Sequence, residues 1–226
     1  MSYLNFDTKI IDDFSSDKIE NMYDAGYVLT RVDKGIMNKT RSYRVDLSTY
    51  EPSSENRRML RKGEHLSIHN ESLPYAKYDW SIGKLAKNFY EKLGANFSAN
   101  KIKELLTSSG KSNFNTLLIF TDTRTEDAEM PGAENPVGFV ICYESKDIFH
   151  YSYPFYIEAA KESSRGLSMM NKAVEWAKAS GKKYIYLGSI QRPNDTYKLQ
   201  FAGGEWFDGE KWQTDTYPLK EILKNI

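Results

Sequence analysis

The sequence has a single cysteine, Cys142, and only three histidines, His65, His69 and His150. One cysteine excludes an intramolecular disulfide, a CxxC redox pair and a cysteine-rich zinc site. His65 and His69 are four residues apart, but no carboxylate or cysteine completes a ligand set beside them. We therefore expect no metal site, and we expect Cys142 to be a buried strand residue.

The sequence also lacks long apolar runs and a net charge. No apolar run approaches the ~20 residues of a membrane span, and the amino terminus, MSYLNFDTKIIDDF, does not have the pattern of a signal peptide. We expect a soluble, cytoplasmic protein with no membrane partner. Lys and Arg number 31 and Asp and Glu number 31, so any contact with nucleic acid must come from a local basic patch.

The remaining composition is that of an ordinary globular protein, because 40% of the 226 residues are hydrophobic. Two extended runs, YVLTRV and SYRVDL, begin a series of predicted strands. In the second run Tyr43 and Val45 alternate with Arg44 and Asp46, which predicts one buried face and one wet face. Residues 197–201 and 205–212 are predicted as the last two strands.

The strongest unit in the chain is a predicted helix, residues 164–180, which is followed by the strand KKYIYLGSI. A strand, a helix and a strand at this spacing form a crossover, so the two strands are expected to be parallel neighbours. We predict an α+β fold with a mixed, mostly antiparallel sheet and helices on both faces, GNAT-like (acyl-CoA N-acyltransferase-like) in architecture. Residues 1–226 are expected to form a single domain, with residues 1–64 as an amino-terminal region of strands and a basic helix.

The start of the crossover helix is a candidate anion site. The acetyltransferase pyrophosphate loop, [Q/R]-x-x-G-x-[G/A], is matched here by Ser163-Ser164-Arg165-Gly166-Leu167-Ser168, in which only the middle glycine agrees. Backbone N–H groups at a helix start attract anions, and Arg165 adds a cation. A helix start with serine caps explains the segment equally well. The degenerate loop argues against acetyl-CoA as the donor.

A second candidate is a short basic helix, SENRRMLRK, which carries Arg57, Arg58, Arg61 and Lys62. The spacing places the charge over much of one helix face. By itself this pattern is typical of a solvated helix balanced by neighbouring glutamates. With Pro52-Ser53-Ser54 at its start, the helix also forms a surface that attracts phosphate.

Several segments together resemble the arginyl-tRNA–protein transferases and their bacterial leucyl-transferring relatives. The similarity follows most of the chain in order, although the amino-terminal cysteine cluster of that family is absent here. The segments that carry the resemblance are DAGY at 24–27, YEPSSENRRMLRK at 50–62, FYIE at 155–158, GLS at 166–168, KYIYLGS at 183–189 and TYKLQF at 196–201.

The resemblance implies an aminoacyl-tRNA-dependent transferase that forms a peptide bond with the amine of a protein or peptide, as in N-end rule arginylation. It implies no cofactor, because the ester of the charged tRNA is already activated, and no nucleophile, because the enzyme must mainly align the amine and stabilise the oxyanion. The predicted catalytic residues are Glu158, Tyr186, Tyr197 and Lys198. The predicted substrate-binding residues are Arg57, Arg58, Arg61, Lys62, Tyr156, Arg165, Gly166, Ser168, Ser189 and Gln200.

Two alternatives stay open from the sequence. One is an acetyl-CoA-dependent N-acetyltransferase on the same sheet, and the other is a catalytically silent module that binds tRNA or peptide. All the enzymatic hypotheses need the two parallel strands, residues 151–157 and 184–189, to separate beside Gly166. The amino acid carried, the acceptor and the oligomeric state are not determined by the sequence.

Overall fold

A computed structural model describes residues 4–124, 136–158 and 164–225 of the chain. Ser163, the first residue of the segment compared with the pyrophosphate loop, lies outside these ranges. The described helices are α1 (Ser16–Asp24), α2 (Ser54–Lys62), α3 (Trp80–Lys92), α4 (Ala99–Thr107), α5 (Arg165–Ala179), a 3-10 helix (Pro193–Gln200) and α6 (Tyr217–Lys224).

The described strands form two sheets. They are β1 (Asp7–Ile10), β2 (Tyr27–Leu29), β3 (Ile36–Lys39), β4 (Ser42–Asp46), β5 (Leu66–Ser72), β6 (Thr116–Asp122), β7 (Pro136–Glu144), β8 (Ile148–Tyr156), β9 (Tyr184–Ser189), β10 (Gly204–Phe207) and β11 (Trp212–Gln213). The small sheet has the order β1-β3-β2, and the large sheet has the order β11-β10-β4-β9-β8-β7-β6-β5. The large sheet is mostly antiparallel, and β8 pairs with β9 in parallel.

The chain divides into two compact units. The first unit comprises Met1–Arg57, Glu144–His150 and Trp176–Ile226, and the second comprises Arg58–Tyr143 and Tyr151–Glu175. Each unit has its own apolar core. The first core includes Tyr23, Tyr43, Val45, Phe149, Ile185 and Phe207, and the second includes Ile102, Leu117, Phe120, Val140, Met169 and Ala173. The assignment of residues 1–226 to one acyltransferase domain stays a prediction.

The predicted crossover is confirmed. Helix α5 buries Met169, Met170, Ala173, Val174 and Ala177 at helical spacing. Gly181, two residues beyond the end of the helix, has a positive φ of 74°, a conformation that glycine adopts without strain. Strand β9 follows at once and pairs in parallel with β8, as expected for a crossover connection.

Both predicted last strands differ from the structure. The segment 205–212 is not one strand, because it is divided between β10 and β11. Residues 197–200 belong to the 3-10 helix, and Phe201 is the residue that follows its last turn. Pro193 begins this helix, because its fixed φ suits a first turn. The carboxylate of Asp195 accepts the backbone N–H groups of Gln191 and Arg192 at 2.8 and 2.9 Å. These local hydrogen bonds stabilise the helical turn, and they outweigh the short alternation of apolar residues that predicted a strand.

Candidate functional site

The basic helix α2 is built as predicted. The Ser53 hydroxyl accepts the backbone N–H of Asn56 at 3.1 Å, and the Asn56 side chain accepts the backbone N–H of Ser53 at 3.0 Å. This reciprocal bonding satisfies backbone donors at the helix start. The four predicted basic residues, Arg57, Arg58, Arg61 and Lys62, are all exposed. Arg57 also donates to the carbonyl of Pro52 at 2.6 Å.

In the second unit, Arg165 is buried rather than presented to solvent. Its Nη1 donates to the carbonyl of Ile157 at 2.6 Å, and its Nη2 lies 3.9 Å from Asp122. Burial lowers the pKa of the guanidinium, and the charge of Asp122 acts in the opposite direction. Arg165 therefore ties the end of β8 to the start of α5.

Asp122 is the centre of a charge cluster that the sequence analysis did not find. Its carboxylate accepts Nη2 of Arg124 at 2.8 Å, and Nε2 of His65 lies 3.7 Å away. The hydrogen bond from Arg124 is the main reason that the pKa of Asp122 falls to about 2. Burial lowers the pKa of His65, and the charge of Asp122 acts in the opposite direction. No sequence motif joins these residues, because they come from three separate segments.

A small cavity lies beside this cluster. Its volume of about 20 Å³ has room for about one water-sized group. It is lined by Lys62, His65, Leu66, Ser164, Arg165 and Ser168. Ser168 is 2% exposed, and its hydroxyl donates to the carbonyl of Met59 at 3.3 Å. The predicted substrate-binding Ser168 is thus engaged in packing α5 against the end of α2.

Gly166 is required by a close contact. A Cβ at this position would lie 2.5 Å from the hydroxyl oxygen of Tyr156. The Tyr156 ring is in turn packed on Phe89, with ring centroids 4.7 Å apart, and burial raises the pKa of its phenol. The two predicted binding residues are therefore brought together, with the phenol covering one side of the glycine backbone.

Glu158 lies near the end of the same strand and is exposed. Its carboxylate forms an ion pair with the ammonium group of Lys92 at 2.5 Å. Exposed ion pairs of this kind are common on protein surfaces, and the catalytic role predicted for Glu158 stays a prediction.

In the first unit, the parallel ladder of β8 and β9 is short. Within the described ranges it comprises three pairs, Ile148 with Tyr184, Phe149 with Ile185 and His150 with Tyr186. Strand β8 continues to Tyr156 and β9 continues to Ser189. The ladder therefore ends at His150 and Tyr186, and the expected opening beside Gly166 stays a prediction.

The side chain of Lys198 extends from the 3-10 helix to the end of β9. It is 6% exposed, and its Nζ donates to the carbonyl of Ser189 at 2.6 Å. Burial disfavours the charged form and lowers the pKa of the amine to about 8. A Cβ at Gly188 would lie 3.9 Å from Nζ. Two predicted site residues, Ser189 and Lys198, are thus in direct contact.

His150 is a second buried base of the first unit, and the sequence analysis assigned it no role. Its Nδ1 is 2.7 Å from the hydroxyl of Tyr23. Burial, with a smaller effect of the charge on Lys198, lowers the pKa of the imidazole to about 3. The ring is therefore neutral at all physiological pH values.

Tyr186 is fully buried and accepts Nη1 of Arg44 at 3.0 Å. Arg44 was predicted on a wet strand face, and this prediction is wrong, because the side chain is buried. Its guanidinium lies between the rings of Tyr184 and Trp212, 3.9 and 4.0 Å from their centroids. Salt bridges to Asp24 and Glu205 complete its surroundings. Tyr186 supports this network, and its contact with a substrate stays a prediction.

Tyr197 and Gln200 are both on the 3-10 helix. Tyr197 is 44% exposed, and Gln200 donates to its carbonyl at 2.7 Å and accepts the side-chain amide of Asn56 at 3.2 Å. The first unit contains Arg57, Tyr186, Ser189, Tyr197, Lys198 and Gln200, and the second contains Arg58, Arg61, Lys62, Tyr156, Glu158, Arg165, Gly166 and Ser168.

The described residues contain neither a metal-ligand cluster nor a membrane-spanning helix. No three His, Cys, Asp or Glu side chains in these ranges are grouped so that they would hold a metal ion. None of the described helices is long and apolar enough to span a membrane.

Comparison with known proteins shows the fold. No protein-family model and no curated protein matches the chain. Among solved structures the chain is similar to L-PGS from Bacillus licheniformis, with 12% identity, 92% of this chain and 69% of that chain covered, and a TM-score of 0.51. It is also similar to FemX, with 10% identity, 80% and 61% covered, and a TM-score of 0.45.

A third similar structure is the GCN5-related glucosamine N-acetyltransferase region of a fungal multi-domain GH3 β-N-acetylglucosaminidase. The identity is 9%, 88% of this chain and 22% of that chain are covered, and the TM-score is 0.47. The predicted α+β fold with a GNAT-like, mostly antiparallel sheet is confirmed.

Proposed function

We propose that this protein is an aminoacyltransferase that moves an aminoacyl group from the 3′ end of a charged tRNA to an amine. The observation that carries the proposal is Lys198, a buried amine at the end of β9, beyond the last residue paired with β8. The GNAT-like fold and the resemblance to tRNA–protein transferases support the same chemistry. The donor ester is already activated, so no cofactor is required.

In the proposed reaction Lys198 acts as the general base. Its pKa of about 8 leaves an appreciable neutral fraction near pH 7, which suits a group that takes up a proton during the reaction. The acceptor nitrogen attacks the ester carbonyl, the C–N bond forms, and the bond to the 3′-oxygen of the tRNA breaks. The proton lost by the amine passes to Lys198 and returns to the departing 3′-oxygen.

The acceptor that best matches Lys198 is the α-amine of a protein or peptide. An α-amine has a pKa of about 8, close to that of Lys198. Proton transfer between the two is then nearly balanced in free energy. A lysine side chain, with a pKa of about 10.4, would give up its proton to Lys198 less readily. The resemblance to tRNA–protein transferases implies the same acceptor, the amine of a protein or peptide.

The donor tRNA is proposed to dock on the exposed face of α2, where Arg57, Arg58, Arg61 and Lys62 contact its phosphates. Each basic residue that neutralises a phosphate releases counterions, so the binding should weaken as salt increases. The exposed ring of Tyr197 offers a surface on which a base can stack. The catalytic role predicted for Glu158, which lies in the second unit, stays a prediction.

The decisive experiment measures transfer from a panel of radiolabelled aminoacyl-tRNAs to added peptides, with acetyl-CoA as a separate donor. We expect one or a few charged tRNAs to support transfer, and Lys198→Met to reduce kcat by about 100-fold or more. The exposed Lys183→Met is the matched control and should retain wild-type kcat. Turnover with acetyl-CoA alone would show the N-acetyltransferase alternative, and binding without turnover of any donor would show the silent module.

The docking role of α2 is tested separately by the triple variant Arg57→Ala/Arg58→Ala/Arg61→Ala. We expect a higher KM for charged tRNA with little change in kcat, together with a weaker dependence of KM on salt. A triple variant that transfers as well as the wild type at every salt concentration would exclude α2 as the docking surface.

A further inference from the structure

Arg41 has an unusual environment in the first unit. It lies between β3 and β4, and its backbone carbonyl accepts the N–H of Ile190 at 2.8 Å. Its Nε is buried and has no hydrogen-bond partner within residues 4–124, 136–158 and 164–225. Burial lowers the pKa of its guanidinium. A buried donor on a charged group is costly when it is not satisfied.

Ser42, the next residue, also has a buried polar group that is not satisfied. Ser42 is fully buried, and its hydroxyl oxygen has no hydrogen-bond partner among the described residues. Ser42 stands opposite Ser189 in the β4–β9 register, and the Ser189 carbonyl is the acceptor of Lys198. Two unsatisfied polar groups therefore occur on consecutive residues, next to the strand end that holds the proposed base.

The two segments that face each other here are strongly basic. Residues 39–42 and 189–198 contain the cations Lys39, Arg41 and Arg192, besides the buried amine of Lys198, against a single carboxylate, Asp195. That carboxylate accepts two backbone N–H groups at the start of the 3-10 helix. The excess of positive charge is local, because the whole chain carries no net charge. Such a surface favours an anion of high charge density.

We propose that Arg41 and Ser42 form a subsite for a phosphate group. A guanidinium can bind two phosphate oxygens through Nε and Nη, and a serine hydroxyl can donate to an oxygen of the same group. This inference rests on the proposed function to the extent that the phosphate is assigned to a phosphodiester near the 3′ end of the charged tRNA. The subsite is distinct from the exposed basic face of α2.

The direct test observes the Arg41 Nε–H group by proton–nitrogen correlation NMR. Its signal is assigned by its loss in Arg41→Lys, and Arg31→Lys is the control that should retain it. Inorganic phosphate is titrated at constant ionic strength, with sodium acetate and sodium chloride in parallel. We expect a saturable shift with phosphate alone. An equal response to chloride would overturn the subsite, and an equal saturable response to acetate would overturn its assignment to phosphate.

Stability separates a binding role from a structural one. Removing an unsatisfied buried group should not destabilise the free protein, so Arg41→Met and Ser42→Ala should unfold at the same temperature as the wild type or higher. Arg41→Met should raise the Kd for phosphate by about tenfold or more, which is typical for the loss of a charge-assisted hydrogen bond. A lower unfolding temperature with an unchanged Kd would mean that these residues serve the fold, and would refute the subsite.

Kinetics with charged tRNA distinguish failure of this inference from failure of the proposed function. If transfer occurs, Arg41→Lys should raise KM for tRNA more than it changes kcat. Transfer with an unchanged KM and no phosphate response would refute the subsite and leave the transferase standing. A saturable phosphate response at Arg41 without transfer from any charged tRNA would refute the transferase and leave the phosphate subsite standing.

Discussion

The buried amine of Lys198 predicts a measurable dependence of stability on pH. Its pKa is about 8 in the folded protein, against 10.5 for an exposed lysine. Between these values the unfolded chain binds more protons than the folded protein, so the free energy of unfolding rises with pH. The difference corresponds to about 3 kcal/mol. This stability is absent below about pH 8, where both states are protonated, and is fully present above about pH 10.5.

Lys198→Met removes this dependence while keeping an unbranched side chain of similar length. The variant should be more stable than the wild type at pH 7 by up to about 3 kcal/mol, less the value of the lost hydrogen bond to Ser189, about 1 kcal/mol. Near pH 10.5 its advantage should disappear. The assay is urea denaturation from pH 7 to 10.5, compared with the exposed Lys183→Met.

The comparison of variants cancels the titration of other groups, since all of them are present in each protein. A constant stability difference between Lys198→Met and the wild type over the whole pH range would refute the argument that burial lowers the pKa of Lys198. It would also remove the physical basis for Lys198 as a general base. If Lys198→Met is more stable than the wild type and no longer transfers, the lower stability of the wild type is the cost of keeping a functional amine in an apolar environment.

Two further predictions concern other buried groups. Gly166→Ala should destabilise the protein by about 1–3 kcal/mol, because the new Cβ meets the Tyr156 hydroxyl at 2.5 Å. The control in thermal unfolding is Gly110→Ala, where a Cβ meets nothing within 4 Å. Equal losses of stability in the two variants would contradict the contact between residue 166 and Tyr156. His150 has a folded pKa of about 3 against 6.5 when exposed, so stability should fall as pH decreases from about 6.5 to about 3. His150→Gln should flatten that decrease in acid denaturation, and an unchanged acid profile would count against the neutral, buried ring.

The parts of the fold that were predicted correctly are those with a local cause. Helix α5 and strand β9 have their own periodicities, and a glycine separates them, so the crossover could be recognised without knowledge of the neighbours. The basic face of α2 could also be predicted from the sequence, because helical spacing determines which side chains share a face. Exposure then follows from the cost of burying four cations.

Arg44 shows why the rest could not be predicted. Alternation along a strand identifies two faces, but it does not say whether one or both are covered. Here both faces are covered, and the guanidinium is accommodated only because Tyr184, Trp212, Asp24 and Glu205 come from distant parts of the chain. The same holds for the charge cluster around Asp122, whose members share no sequence pattern.

The amino-acid sequence by itself determined the class of fold, the crossover unit and the basic surface, because helix and strand periodicity and charge are properties of short segments. Only the tertiary structure decided which polar groups lose water. Burial lowered the pKa of the Lys198 amine and enclosed the Tyr186 phenol beside Arg44. It also left Nε of Arg41 and the hydroxyl of Ser42 without a hydrogen-bond partner among the described residues. Desolvation depends on what covers a side chain, and the covering residues here come from segments far apart in the chain.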